Sequence, residues 1–357
     1  MDDTGHHDPV EHTDPMRCEL RFTATHGDGA PETIALRSGV ADGSLVRIHR
    51  GVYAATSDWE GLDSRERHVL LTRGMAAGAA RNCVVSHVSA VAALGLPRVH
   101  DRFDDTVTVT DPRRTSTKTS THLLRRPGEV PTDDVLRLGD LSVTALRRTA
   151  VDVARTAPFA DAVLCADAVL RRLVLPNGHR TGPSVTAAVR REREGLLGRL
   201  GPTTRPGNRA ARRAVQFSSP FAENGGESLL RVVLFELGLS NVELQREFRL
   251  ADGRVARCDT YLASHGVAVE LNGLVKSTDP RMLAGRTPAE VVRDRTRRDR
   301  ALCRLPEVRA VVNCDYLDLV FPERLGGLLR DADVDLDRRR VTAAAREAAR
   351  RFRGDGP

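Results

Sequence analysis

Three observations predict an α/β chain of the multidomain α+β kind. From Glu223 to Asp315 the periodicity switches in the order helix, strand, strand, strand, helix, strand. The middle of the chain reads as mainly helical with a small sheet, and the start carries a short strand pair around Gly51. A length of 357 residues allows two or three domains, each with its own core.

Composition narrows the partners. Charged residues make up 29% and aromatics 4%, and the net charge is +7 with a pI near 9.5. That balance favours a polyanionic partner, although an arginine-rich coding bias inflates it. Sparse aromatics argue against base stacking on single strands, so contacts to the phosphates of duplex DNA are expected. No apolar run approaches a membrane span and no signal-peptide pattern opens the chain, so a cytoplasmic location is expected. Six scattered cysteines without Cys-x-x-Cys spacing indicate neither a zinc site nor a disulfide framework.

Taken in order, residues 1–16 hold His6, His7 and His12 among acids and glycine, the composition of a disordered start. In residues 17–57 only Glu32 to Val40 offers a helix, and Ser44 to Ala54 alternates in the manner of strands around Gly51. Arg47, His49 and Arg50 on that pair have two readings: contact with DNA phosphate, or a solvated hairpin edge whose charges block further pairing.

Residues 58–200 form the central region. Helices are expected over Asp63–Ala80, after Ser86, over Thr149–Arg155 and over Phe159–Leu173, with strands at Val84–Val85, Thr106–Thr110 and Leu141–Thr144. His87 lies beside Ser86 and Ser89, yet no nucleophile elbow or orienting acid accompanies it, so a capping or packing role is the better reading. Residues 201–222 are rich in Arg, Pro and Gly and read as a solvated linker leading into a short helix.

In residues 223–330 a helix is expected from Glu227 to Gly238, since Leu230, Val233, Leu234 and Leu237 share one face. Two strands follow, with the second ending at Leu262, and a third spans Val267 to Leu271. If the loop from Ala263 to Gly266 closes an antiparallel hairpin, Leu262 pairs with Val267 and Asp259 lies opposite Glu270. Opposed acids have Cβ atoms about 4.5 to 5.5 Å apart and repel, which calls for a cation. Mg²⁺ or Mn²⁺ suits such oxygen ligands, and Asn272 follows on the same face. Thr287-Pro288-Ala289-Glu290 is a capping box that opens a helix running to about Arg304. Residues 331–357 read as an exposed, charged helical tail.

Two resemblances emerge from these residues. Gly51-Val52-Tyr53, Ser86-His87-Val88-Ser89-Ala90, Gly95-Leu96-Pro97, Arg148 to Asp152 and Ala166 to Leu170 resemble the AbiEi-type antitoxin family, which implies a degenerate winged-helix-like start. Glu227-Ser228, Arg257-Cys258-Asp259, Val269 to Gly273 with Lys276, and Val291 to Asp299 resemble the very-short-patch-repair-like endonuclease domains of the PD-(D/E)XK superfamily, found in many actinobacterial proteins.

The second resemblance implies a restriction-endonuclease-like αβββαβ domain that hydrolyses DNA with Mg²⁺ or Mn²⁺. Asp259 and Glu270 would hold the ion, Glu227 would ligate it directly or through water, and Lys276 would polarise water or phosphate. Lys276 is one of only two lysines in the chain, the other being Lys118, which sets it apart from the arginine background. Arg297 is singled out as a phosphate contact. The pattern departs at Asn272, usually Asp or Lys in such domains, and at Asp294-Arg295 in place of Glu-Lys. Two functions therefore stand: an endonuclease in phage defence or a toxin–antitoxin context, or a DNA-binding antitoxin or repressor with a toxin partner and a degenerate nuclease domain. An interaction protein without nucleic acid is the third.

Overall fold

The computed structural model describes residues 14–23, 29–78, 82–100, 102–113, 115–272 and 287–353. It is a mixed α/β protein with three sheets among these residues. The chain divides into two compact units, Met1–Val153 and Ala154–Pro357, whose border falls inside the helix Leu146–Thr156. Among the described residues no helix is long and apolar enough to cross a membrane. All six cysteines are free thiols.

The first unit opens with a small sheet in the order β1 (Arg21–Phe22), β3 (Val52–Ala55), β2 (Leu45–His49). Gly51, at φ +77°, makes the turn between β2 and β3 that a side chain would strain. The one helix expected near it is present as Pro31–Ala41.

A six-stranded sheet follows. It comprises β4 (Val84–Val85), β5 (Val107–Asp111), β6 (Lys118–Ser120), β7 (Leu123–Pro127), β8 (Val135–Leu138) and β9 (Leu141–Thr144), in the order β6-β7-β5-β4-β9-β8. Val85, Val107, Val109, Leu123, Leu141 and Val143 form its core with Leu71 and Ala90 from the helices Ser64–Gly78 and His87–Ala93. The expectation of a mainly helical middle with a small sheet therefore understates the sheet by β6, β7 and β8. Lys118-Thr119-Ser120 is wholly exposed, and β7 carries Arg125-Arg126-Pro127, so neither shows apolar alternation. Pairing, not local pattern, makes them strands: β7 pairs with the buried β5, and β6 with β7.

In the second unit the helices Phe159–Val174, Pro183–Leu200 and Asn208–Phe217 accompany the helix Gly225–Glu236. The sheet has the order β10 (Glu243–Arg249), β11 (Val255–Leu262), β12 (Val267–Asn272), β13 (Ala310–Asp315). The first two junctions are antiparallel and the last is parallel. The capping box at Thr287 and Glu290 opens the helix Pro288–Leu302, as its sequence predicts.

Two stretches differ from expectation. Residues 201–222, expected as a solvated linker leading into a short helix, do carry that helix, Asn208–Phe217, but lie packed within the second unit. Ala211, Ala214 and Val215 are buried there, and Asn208 donates to the Leu200 and Pro202 carbonyls at 2.5 and 2.6 Å. Alanines spaced three and four apart make an apolar stripe that is easily read as a polar linker. The end of the chain is likewise not an exposed tail, because Val341, Ala344 and Ala348 of the helix Arg338–Arg351 are buried and Arg351 pairs with Glu236.

Candidate functional site

The site is built on one row of residues crossing the second unit's sheet. Thr260 pairs with Val269, Tyr261 with Ala268 and Leu262 with Val267, so the expected hairpin register is observed. Asp259 and Glu270 are the next residues beyond the last pair of that register. There the backbone ladder gives way, and the Leu271 amide donates instead to Asp259 Oδ2 at 3.0 Å. On the other side of β11, the register pairing Leu244 with Thr260 and Arg246 with Cys258 sets Gln245 across from Asp259. Glu270 in turn pairs with Asn313 of β13. The row reads Gln245, Asp259, Glu270, Asn313.

The helix Gly225–Glu236 brings Glu227 to this row. Asn224 caps it by accepting the Glu227 amide at 3.0 Å. Gly226 permits its close approach to β12, since a Cβ there would lie 2.8 Å from Leu271 Cδ2. The Glu227 carboxylate is only 5% exposed. It accepts from the Glu223 amide at 2.7 Å, Asn224 Nδ2 at 2.7 Å and Gln245 Nε2 at 2.9 Å. Gln245 makes its bond from a left-handed backbone, at φ +53°.

From the opposite side the helix Pro288–Leu302 contributes Arg298 and Asp299. The Arg298 guanidinium donates to both oxygens of Glu270, at 2.7 and 3.2 Å, and to the Arg257 carbonyl. Asp299 Oδ2 accepts from Asn313 Nδ2 at 2.9 Å, whereas its Oδ1 is buried without a hydrogen-bond partner among the described residues.

The electrostatics follow from this crowding. Burial pushes the Glu270 carboxyl up to about 7; Asp259 and Asp299 add to the rise and Arg298 opposes it. Glu227 is likewise raised to about 7, first by burial and then by Asp259, against the hydrogen bonds it accepts. The guanidinium at 2.7 Å would ordinarily favour the charged form of Glu270, but burial and two neighbouring acids outweigh it.

These residues fit a hard divalent cation in kind. Among the described residues no three His, Cys, Asp or Glu side chains converge closely enough to form a metal cluster. Mg²⁺, however, is usually held by one or two carboxylates completed by water and phosphate oxygens. Asp259 and Glu270, close enough for each carboxylate's charge to act on the other, are such a pair. Glu227, with three donors on its carboxylate, lies close enough to Asp259 to be raised by its charge.

Other expected site residues fall variously. Lys276 lies outside the described residues. Asn272 ends β12 two residues on from Glu270, opposite Asp315, and donates to Asn313 Oδ1 at 3.3 Å. Arg297 is exposed, and its neighbour Arg298 reaches the acids instead, because successive helical residues point about 100° apart. Gln245, Asp299 and Asn313 carry no mark in the sequence that sets them apart; a buried glutamine within an alternating strand gives no periodic signal. Arg47, His49 and Arg50 belong to the first unit, where they line a cleft. His87 bonds Ser86 Oγ through Nδ1 at 2.9 Å.

A scan against protein-family models finds no match, and a search of curated proteins finds no relative.

Proposed function

We propose that the second unit hydrolyses DNA phosphodiesters with a divalent cation. The observation that carries the reading is the placement of Asp259 and Glu270 on adjacent strands, next beyond the Thr260–Val269 pair, with Glu227 held close to Asp259 by a helix. In this reading Asp259 and Glu270 hold Mg²⁺ or Mn²⁺, with Asp299 beside them. The bound ion lowers the pKa of an attacking water and offsets charge on the phosphate. Glu227 orients that water through its own hydrogen-bonded carboxylate, and Lys276 stabilises the phosphate. Because the water is the nucleophile, no nucleophilic side chain is required.

The test is nicking of supercoiled plasmid with Mg²⁺ or Mn²⁺. The intact protein is expected to nick, while Asp259→Ala and Glu270→Ala each lose at least 100-fold, in the range seen when groups that stabilise the transition state are removed. Nicking that survives both substitutions would sink the assignment.

Two observations favour a second reading, that of a DNA-binding regulator or antitoxin on a degenerate nuclease domain. Arg298 already neutralises Glu270, and the uncharged Asn272 bonds Asn313 rather than contributing a ligand. Absence of nicking by all three proteins, with salt-sensitive duplex binding retained, would select that reading.

A further inference from the structure

In the first unit a cleft of about 560 Å³ opens between β2 and the turn that joins β6 to β7. Its volume lies within the range of small-molecule sites. We propose that this cleft binds a nucleoside 5′-phosphate, either as a free nucleotide or as the phosphorylated end of a nucleic acid strand.

The polar wall suits a phosphomonoester. Arg47, His49 and Arg50 stand on one side and His122 on the other, and no carboxylate lines the cleft. Among the described residues no acid pairs with Arg47 or Arg50, so their guanidinium forks are available for the bidentate geometry a phosphate offers. His49 and His122 meet edge to face, with ring centroids 5.2 Å apart. The Asp105 carbonyl lies 3.1 Å from His122 Nδ1 and accepts a hydrogen bond from Nδ1–H, which leaves Nε2 as the second polar atom of the ring. The hydroxyls of Ser120 and Thr121 complete that rim.

The floor argues for a ring on the phosphate. Ile48, Met75 and Leu123 line it, and Ile48 and Met75 pack on the first unit's core, so the base of the cleft is apolar and anchored. A planar base suits such a surface, and a thioether makes favourable contacts with aromatic rings. Concavity disfavours the middle of a duplex, whose backbone phosphates run along a convex surface. A terminal phosphate can enter.

The experiment is isothermal titration of the full-length protein at constant ionic strength. Ligands are the four nucleoside 5′-monophosphates, adenosine, inorganic phosphate, and one oligonucleotide with and without a 5′-phosphate. At least one monophosphate, or the 5′-phosphorylated strand, is expected to bind tenfold or more tightly than its dephosphorylated counterpart and than phosphate alone. The two arms separate free nucleotide from strand end. The exposed double variant Arg47→Ala/Arg50→Ala is expected to lose that affinity at unchanged melting temperature, and His122→Gln to weaken it. Asp259→Ala is expected to leave it intact, so failure of the hydrolase reading does not touch the cleft. Equal binding of phosphorylated and unphosphorylated ligands, no binding by either arm, or retention of affinity in the double variant would overturn the proposal.

Discussion

Glu227 and Glu270 give the molecule a pH dependence whose sign is fixed by their environment. Both are raised to about 7, above the ordinary carboxylate range, so the folded state holds protons that the unfolded chain has released. Their contribution is therefore complete at acid pH and is lost as pH rises through about 7, at up to ~1.4 kcal/mol per pH unit for each group. Urea midpoints are expected to fall between pH 5 and 7.5. Mg²⁺ should restore stability at pH 8 and do little at pH 5; a cation effect equal at both would count against binding at these acids. Gln245 makes a second prediction. Its left-handed backbone is strained by something on the order of 1 kcal/mol, and its amide serves a buried carboxylate. Gln245→Ala is expected to destabilise by about 1 to 3 kcal/mol, as one lost donor to a buried acceptor does. Gln245→Gly should be less destabilised than Ala, the reverse of the usual order in a strand, because it relieves the backbone. Chemical denaturation of the two variants side by side decides this. None of this strain was legible in the sequence, where Gln245 is one polar residue in an alternating strand, whereas the Leu262–Val267 register, which runs to Thr260 and Val269 beside the two acids, followed directly from the hairpin loop.

Among the elements, the helix Pro288–Leu302 is the one that decides how the acids behave. Its start was legible because Thr287 and Glu290 form a reciprocal cap; which arginine it turns inward was not, since arginine recurs around the whole helix. Arg298 is a covalently tethered cation on Glu270, and a free cation must compete with it. Arg298→Ala is accordingly expected to tighten Mn²⁺ binding by about tenfold, corresponding to ~1.4 kcal/mol of removed competition. Electron paramagnetic resonance of free Mn²⁺ measures it directly, and unchanged or weaker binding would mean that Arg298 organises the acids rather than blocks them. The strands of the first unit teach a different lesson. β5 and β9 were visible from their own side chains, while β7 is a strand because it pairs with β5 and β6 because it pairs with β7, which neither segment's own residues announce.

At the scale of the whole molecule, the acid-bearing sheet depends on residues well before it. Arg231 of the helix Gly225–Glu236 donates to both oxygens of Asp167 at 2.8 and 2.7 Å, and to the Phe217 carbonyl at 2.6 Å. Asp167 is 1% exposed and Arg231 5% exposed, so removing either leaves a buried charge alone, a loss of about 3 to 5 kcal/mol. A fragment beginning at Glu223, where sequence reading starts the nuclease-like domain, is expected to be poorly folded. One beginning at Ala154 retains the partner and should melt cooperatively in circular dichroism. Equal cooperativity of the two fragments would show that the pair is dispensable. The consequence reaches beyond truncation. Recombination between genes favours joints where few contacts cross, and the glycine- and proline-rich stretch after Leu200 looks like such a joint but is not one. A chimera spliced there would inherit Arg231 without Asp167, so the two halves of that ion pair should travel together whenever this module changes its companions.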